Sequence, residues 1–333
     1  MAPGLTKEYK LFNRIYYEIK PAIPRSLQIT LRRLLIHLAK RRYRGIWPID
    51  EKASVRPKNW KGWPDNKKFA LVLTHDVETT KGEDRCLELM KFEKNAGFKT
   101  AFYFVPGRVW KSAEIIPELK KNGFEVGVHG LFHDGRLFVS RAKFRERAVF
   151  INRFLSKWEA AGFRAECMHH NLDWIGDLNI QYDASTFDVD PFEPQSDGMT
   201  TIFPFIVERP DTGKRYVELP YTLPQDFMLF VIMREKNINI WKKKLDWIVA
   251  NGGMALVITH PDYMNFEGNR RAMDEYPVHL YEEFLAYIKY KYGNLFWHAL
   301  PSEMADYWAS NYLASSSNLD NNSRNIFPGD KND

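Results

Sequence analysis

The chain has 333 residues, of which 44% are hydrophobic and 15% aromatic, enough for one large α/β barrel or two ordinary domains with a sizeable core. Its two cysteines, Cys86 and Cys167, exclude a disulfide framework and favour a reducing compartment. The first 20 residues contain no secretory apolar run, and no stretch approaches the ~20 apolar residues of a membrane span, so a cytoplasmic protein is expected.

The positive charge is concentrated at the start of the chain. Residues 1–68 contain 17 Lys and Arg against 5 Asp and Glu, a net charge of +12, whereas the whole chain has +6 and the remainder therefore −6. Within this segment, residues 26–43 predict a basic amphipathic helix. Its leucines recur at helical spacing and basic residues crowd its end: Leu27, Leu31, Leu34, Leu35, Leu38, Lys40, Arg41, Arg42 and Arg44.

Two interpretations of this helix remain open. Its leucine face could dock on the main domain while the cations stay solvated. Alternatively, residues 1–60 could make a peripheral contact with anionic lipid at the inner face of a membrane. Nucleic-acid binding is not expected, because the segment offers charge without a recognisable nucleic-acid-binding module.

From Phe69 onward, apolar strand-like runs alternate with charged helical stretches. The predicted strands are 69–77, 100–105, 125–129, 163–170, 215–222, 255–260 and 296–300, and the predicted helices are 83–95, 112–122, 140–161, 240–250, 279–292 and one beginning at Ser302. This order predicts an α/β fold, a distorted (β/α) barrel of about seven strands over 69–313. A basic helical and extended appendage precedes it over 1–68, and the polar tail 314–333 is expected to be disordered.

Polar side chains follow two of these strands. Asp76 and Glu78 come at the end of the first strand, two residues apart, so they share a face if the strand extends that far. His129 and His133 come at the end of the third, with Gly130 allowing a sharp turn between them. Two imidazoles and a carboxylate form the ligand set of a catalytic zinc site with open coordination positions.

These residues resemble motifs of the metal-dependent polysaccharide deacetylases, carbohydrate esterase family 4, which remove acetyl groups from N-acetylated sugars. The family's Thr-Phe-Asp-Asp motif is similar to residues 74–77, and its His-x-x-x-His motif to residues 129–133. Arg164 lies where the third motif has its Arg, and residues 258–260 resemble the strand-ending Leu-x-His motif. The resemblance spans about residues 69–300.

The chain departs from the family pattern in three places. Val77 replaces the metal-binding second Asp and cannot bind a metal, so Glu78 is the natural substitute, with Asp76 as the alternative carboxylate ligand. Residues 166–167, Glu-Cys, replace the Pro of the third motif, which changes the loop that shapes the substrate groove. Gly130 replaces a small hydroxyl residue and removes a hydrogen bond without removing a ligand.

The resemblance implies one divalent metal ion, with zinc the expected metal. Its ligands would be Glu78, His129 and His133. Asp76, oriented by Arg164, would accept the proton of the attacking water, since a carboxylate beside a dication and a guanidinium stays ionised. His260 would protonate the departing amine, because an amine anion is a very poor leaving group.

Three further residues are predicted to line the sugar groove: His170, Trp174 and Asp183. Trp174 could stack on a pyranose ring, although a core position is an equal alternative. The predicted function is therefore deacetylation of an N-acetylated carbohydrate or glycan intermediate. The alternatives are a non-catalytic sugar-binding protein on the same scaffold and an amidohydrolase that acts on a non-sugar amide.

Overall fold

The apolar run that begins at Phe69 becomes the central strand of a curled, mainly parallel sheet. The computed structural model describes residues 23–108, 111–209, 211–268 and 272–312. The strands are β1 (Phe69–Val77), β2 (Ala101–Phe104), β3 (Glu125–His129), β4 (Gly162–Arg164), β5 (Tyr182–Asp183), β6 (Phe205–Glu208), β7 (Arg215–Glu218), β8 (Met254–Thr259), β9 (Met264–Asn265), β10 (Tyr276–Pro277) and β11 (Phe296–His298).

β1 organises the sheet because it pairs with three other strands. β8 lies along one edge of β1, while the other edge pairs with β11 in its first half and with β2 in its second half. The sheet continues from β2 through β3, β4, β5 and β7 to β6, and only the β6–β7 pair is antiparallel. All nine side chains of β1 are buried, as expected of a parallel strand covered on both faces.

The sheet closes through isolated bridges instead of a full strand. Phe187, after β5, pairs with Tyr221, and Leu223 pairs with Val257 of β8. The chain that follows β7 therefore joins the two sides of the sheet. The predicted distorted (β/α) barrel is confirmed, and the ends of its parallel strands gather at one rim.

Helices cover the outside of this barrel. They are α1 (Arg25–Ala39), α2 (Thr80–Asn95), α3 (Ser112–Lys121), α4 (Arg141–Lys157), α5 (Leu172–Ile175), α6 (Asn239–Asn251), α7 (His279–Tyr292) and α8 (Pro301–Tyr312), and a π-helix spans Phe227–Ile232. Within the described residues, no helix is both long and apolar enough to cross a membrane.

Several predicted elements end earlier than their apolar pattern suggested, among them the strand predicted over 215–222, which stops at Glu218. The strand predicted over 163–170 stops at Arg164, because a 3-10 turn begins at Glu166 and Cys167 takes a φ of +56°. The helix predicted over 140–161 stops at Lys157, where Glu159 has a φ of +47° and the Ala160 N–H donates to the Leu155 carbonyl. This bond satisfies a carbonyl that the helix end would otherwise leave unpaired.

Helix α1 packs on the barrel with the opposite face from the one its leucines predicted. Ile29 and Ile36 are buried, and the Arg33 guanidinium donates to the Val231 and Met273 carbonyls at 2.9–3.0 Å. The outward face is the leucine row, whose exposed fractions are 48, 47, 56, 66 and 67% for Leu27, Leu31, Leu34, Leu35 and Leu38. The interpretation that the leucine face docks on the main domain is therefore wrong.

The part of the N-terminal segment that follows helix α1 contributes to the barrel core. Trp47, Ala53 and Trp63 are buried in the same hydrophobic cluster as the strands. The proposed boundary at residue 68 stays a prediction. Residues 1–22 and the predicted tail 314–333 lie outside the described residues.

Candidate metal centre and active site

Four polar side chains converge at the rim of the barrel where the parallel strands end. Asp76 is the second-to-last residue of β1, His129 ends β3, Arg164 ends β4, and His260 follows β8 directly. Adjacent parallel strands present their carboxyl ends to the same edge. Residues that are 184 positions apart in sequence therefore lie within a few ångströms of one another.

Glu78, His129 and His133 form a compact group of potential metal ligands. One ligand atom from each lies within 4.8 Å of the others. Glu78 Oε1 is 2.9 Å from His133 Nε2 and 4.0 Å from His129 Nε2. Asp76 Oδ2 lies 3.8 Å from His129 Nε2, but Asp76 does not belong to the group that includes His133, and its Oδ1 accepts a hydrogen bond from Arg164. The geometry therefore favours Glu78 over Asp76 as the carboxylate of this group.

The protonation of His129 suits a metal ligand. Its Nδ1 lies 3.1 Å from the Arg164 carbonyl oxygen, which can only accept, so Nδ1 carries the proton and Nε2 presents a lone pair to the group. Burial lowers the pKa of His129 to about 4, although Asp76 opposes this shift. His129 is therefore neutral near pH 7.

His133 reaches the group through a turn instead of a helix. Gly130 has a φ of +56° and His133 itself has a φ of +52°, a left-handed conformation that is uncommon outside glycine. Such backbone strain concentrates at functional sites. Burial lowers the pKa of His133, but the Glu78 carboxylate outweighs it and raises the pKa to about 10. The Glu78 carboxylate therefore favours a positive charge at the His133 ring, and a bound metal ion would supply that charge in place of the proton.

The donor set fits a divalent metal ion. Two imidazole nitrogens and one carboxylate oxygen match a catalytic zinc site in which further positions stay open. His133 Nε2 is buried and has no properly directed hydrogen-bond partner, which a metal ion would supply. The exposed fractions of the Glu78 and His133 side chains, 15% and 11%, leave the group reachable from the barrel mouth.

Asp76 is held ionised beside this group by a buried arginine. Arg164 Nη1 donates to Asp76 Oδ1 at 2.7 Å, Nη2 to Thr74 Oγ1 at 3.1 Å, and Nε to the Ala184 carbonyl at 3.0 Å. The guanidinium also lies 4.2 Å from the centre of the Tyr103 ring. Burial tends to raise the pKa of Asp76, but Arg164 together with His129 and His260 outweighs it and lowers the pKa. The free Oδ2 of Asp76 faces His129 as a carboxylate that can accept a proton.

His260 is held in its protonated form on the opposite side of the group. Its Nδ1 lies 2.7 Å from Asp226 Oδ1, and its main-chain N–H donates to Asp226 Oδ2 at 2.8 Å. Burial lowers the pKa of His260, but Asp226 outweighs it and raises the pKa to about 9. His260 Nε2 points toward the group, 3.9 Å from Glu78 Oε1, and carries a proton that it can donate.

His75, between Thr74 and Asp76, does not belong to the site. Its Nδ1 pairs with Thr259 Oγ1 and its Nε2 with Glu93 Oε1, both at 2.7 Å. All of these groups are fully buried. This histidine therefore occupies the opposite face of β1, as the alternation of a strand requires.

The three residues predicted to bind substrate lie apart from the ligand group. Trp174 stacks on Phe138, with ring centres 6.2 Å apart, and covers helix α4. Asp183 is fully buried beside Glu218 and accepts from Ser185 Oγ, while His170 Nδ1 contacts the Met168 carbonyl. Among the described residues, no hydrogen bond or ion pair joins these three to the metal ligands. Their role in binding substrate stays a prediction.

The residues that support the site were largely invisible in the sequence. Asp226 is 34 positions before His260, and no spacing connects the two. Asp262 and Tyr263 contact Glu78 from the turn after β8. Their closeness to His260 in the chain is the one signal that could have indicated them.

Comparison with solved structures agrees with this fold. A protein of Mycobacterium smegmatis described as a polysaccharide deacetylase is 17% identical and superposes with a TM-score of 0.60, over 77% of this chain and 95% of that one. A protein of Pseudomonas aeruginosa PAO1, also described as a polysaccharide deacetylase, is 16% identical and superposes with a TM-score of 0.56, over 75% of this chain and 94% of that one. The Puue allantoinase is 15% identical and superposes with a TM-score of 0.62, over 80% of this chain and 98% of that one.

The chain thus has the fold of the polysaccharide deacetylases, which confirms the fold-level resemblance seen in its motifs. No protein-family model matches it, and no curated protein sequence does. At these sequence identities, the superposition shows only that the architecture is shared.

Proposed function

We propose that this protein is a metal-dependent hydrolase that removes an N-acetyl group from a carbohydrate or glycan intermediate. The observation that carries this proposal is the Glu78, His129 and His133 group, flanked by an ionised carboxylate on one side and a protonated imidazole on the other. Deacetylation of an amide requires a base for the attacking water and an acid for the departing nitrogen. The proposal is also supported by the fold, which this chain shares with the polysaccharide deacetylases.

The chain supplies each proton transfer of the reaction. Glu78, His129 and His133 would hold the divalent metal, for which we propose zinc, and when bound it would supply Lewis acidity to the acetyl carbonyl and to water. Asp76 Oδ2 accepts the proton as the water oxygen attacks the carbonyl carbon. His260 Nε2 donates its proton to nitrogen as the carbon–nitrogen bond breaks, and acetate and an amine leave. Arg164 and Asp226 keep this base and this acid in the required protonation states.

The reaction is proposed to take place in the cytoplasm. Cys86 and Cys167 are both free, which agrees with a reducing compartment. The substrate class that fits this location is a nucleotide-linked or lipid-linked sugar that carries an N-acetyl group.

Acetate release measured in parallel with metal content tests this function. The purified protein is offered nucleotide sugars and lipid-linked glycans with N-acetyl groups, with and without prior chelation. Acetate and a free amine should appear in equal amounts, and only in the metal-loaded protein. Retained metal without acetate from any sugar would support the non-catalytic sugar-binding alternative.

An amidohydrolase that acts on a non-sugar amide is the second candidate. It is motivated by the allantoinase, which shares this fold with a TM-score of 0.62. The same base, acid and metal ligands would serve either substrate. Product formation from allantoin and other small amides, in the absence of acetate release from sugars, would decide for this candidate.

We further propose that the N-terminal segment, residues 1–60, makes a peripheral contact with an anionic membrane through the leucine row. Helix α1 is anchored by its other face, so the five leucines are presented outward on a fixed element. Arg41, Arg42 and Arg44 are exposed just beyond the helix end. Apolar side chains next to cations are typical of a helix that lies in the interface of an anionic bilayer.

Co-sedimentation with vesicles tests the membrane contact. The wild type should pellet with vesicles that contain phosphatidylserine, and the variant Leu34→Ser/Leu35→Ser/Leu38→Ser should not. Val149→Ser/Phe150→Ser is the matched control, because these side chains are exposed by 53% and 45% on helix α4. Equal pelleting of the leucine variant and the wild type would refute the membrane contact. If the wild type is an oligomer and the leucine variant has a lower oligomeric mass, the leucine row is instead a contact with a second copy of the chain.

A further inference from the structure

Glu78 needs support that the sheet does not give it. It lies one residue beyond the end of β1, whereas the preceding Val77 is still paired with Phe104 of β2 and is fully buried. A ligand outside the strand is free to rotate unless other groups fix its main chain and its carboxylate. A metal ligand that is held in place in advance binds its ion more tightly.

The turn after β8 fixes the main chain at this point. Asp262 Oδ2 accepts from the Glu78 N–H at 3.1 Å, and Oδ1 accepts from Thr79 Oγ1 at 2.5 Å. Helix α2 holds the turn itself, since Arg85 Nη1 donates to the carbonyls of Pro261 and Asp262 at 3.2 and 3.1 Å. Gly82 makes room for this, because a Cβ there would lie 2.2 Å from Asp262 Oδ2.

Tyr263, the next residue of the turn, contacts the carboxylate. Its hydroxyl donates to Glu78 Oε2 at 3.0 Å, while the other oxygen, Oε1, faces the two histidines. The Tyr263 side chain is 93% buried by its surroundings, so water competes little for this bond. The two carboxylate oxygens therefore have separate partners.

The direction of this bond is set by helix α1. Arg25 Nη2 lies 3.2 Å from the Tyr263 hydroxyl, and a guanidinium can only donate. The hydroxyl must accept from Arg25, which leaves its own proton for Glu78. The Arg25 guanidinium is itself held over the Phe227 ring, 5.5 Å from the ring centre.

We infer that Tyr263 is a positioning residue, which holds Oε2 of Glu78 so that Oε1 is free to bind the metal, and that Arg25 of the N-terminal helix orients the Tyr263 hydroxyl. This inference rests on the metal site of the proposed function. It makes the N-terminal segment part of the support of the metal site. It also explains how the chain keeps a carboxylate ligand although Val77 stands at the family's ligand position.

Metal affinity measured without any substrate tests the inference. The dissociation constant for Zn²⁺ is determined by competition with a chromophoric chelator for the wild type, Tyr263→Phe, Arg25→Met and the double variant. Loss of a hydrogen bond to a metal ligand typically weakens binding by 10- to 100-fold, so Tyr263→Phe should raise the constant about 10-fold. Arg25→Met should raise it by less, and the double variant should bind as Tyr263→Phe does, because Arg25 acts through the hydroxyl.

Tyr216→Phe is the matched control, since it removes another buried hydroxyl, which donates to the Leu172 carbonyl at 2.8 Å. Its zinc affinity should equal that of the wild type. An unchanged affinity in Tyr263→Phe, or a further loss in the double variant, would overturn the inference while leaving the metal site intact. A wild type that binds no zinc would overturn the inference together with the proposed metal site.

Discussion

Replacement of Asp226 by Asn should move the alkaline limit of activity by more than two pH units. Asp226 is fully buried and accepts from the Nδ1 and the main-chain N–H of His260 and from the Tyr276 hydroxyl. Asn has the same shape and can still accept from Nδ1, but it carries no charge. The variant therefore removes the charge that raises the pKa of His260. It also removes the acceptor for the His260 main-chain N–H, because the amide NH2 that takes the place of Oδ2 can only donate.

The size of the effect follows from the two pKa values. The Asp226 carboxylate raises the pKa of His260 from 6.5 to about 9 against the effect of burial. At roughly 1.4 kcal/mol per unit, this corresponds to about 3 kcal/mol in favour of the imidazolium. Without that charge, only the smaller effects of Glu78 and Asp76 oppose burial, so the pKa should fall to about 6.5.

The sign is fixed by the role of His260 as the proton donor. Activity is present while His260 is protonated, so in the wild type it should be lost as the pH rises through about 9. In Asp226→Asn it should be lost as the pH rises through about 6.5. At pH 8, kcat/KM should be ~30-fold lower than in the wild type, whereas at pH 5.5 the two should nearly agree.

The assay is the pH profile of kcat/KM for acetate release, with metal content recorded for each preparation. Tyr276→Phe is the control, because it removes one hydrogen bond to Asp226 and leaves the charge, and its alkaline limit should stay near that of the wild type. An alkaline limit that does not move in Asp226→Asn would refute the assignment of His260 as the acid.

Three further predictions concern separate parts of the molecule. His129→Ala should lose its metal on dialysis and all acetate release while keeping its circular dichroism spectrum, and metal retention at the wild-type level would remove His129 from the ligands. Asp76→Asn should keep the metal but lose at least about 100-fold in kcat, as expected on removal of a general base, and unchanged kcat would exclude that role. Lys244→Met should lower the free energy of unfolding by about 3–5 kcal/mol in urea, because it leaves the fully buried Asp188 carboxylate without its ion pair; an unchanged midpoint would contradict this.

Much of the barrel could be predicted from local patterns. β1, β3 and α7 have the predicted bounds, because each combines an unbroken apolar pattern with clear ends. The predicted strand over 163–170 was wrong beyond Arg164, since the positive φ of Cys167 depends on how the loop packs. Two-residue strands such as β5 exist only through their partners, and hydrophobic periodicity has no signal at that length.

Some residues of the candidate site could likewise be predicted from the sequence, and others could not. His129 and His133 are close in the chain, so their pairing could be predicted from spacing, with Glu78 added from the resemblance. Asp226 and Tyr263 reach the site from other strand ends, and only the closure of the barrel brings them there. Hydrogen bonds between distant segments leave no periodic pattern in a single sequence.

Helix α1 shows most clearly which features the sequence determined and which the tertiary structure determined. The sequence by itself predicted an amphipathic basic helix over residues 26–43, because propensity and apolar spacing are local properties, and the helix observed spans Arg25–Ala39. Which face meets the barrel depended on the partner surface, where the Val231 and Met273 carbonyls and a place for Ile29 and Ile36 were available. Likewise, residue types and spacing indicated metal ligands and a carboxylate base. The resemblance also paired Arg164 with Asp76. Only the tertiary structure placed Asp226 against His260, which keeps that imidazole protonated.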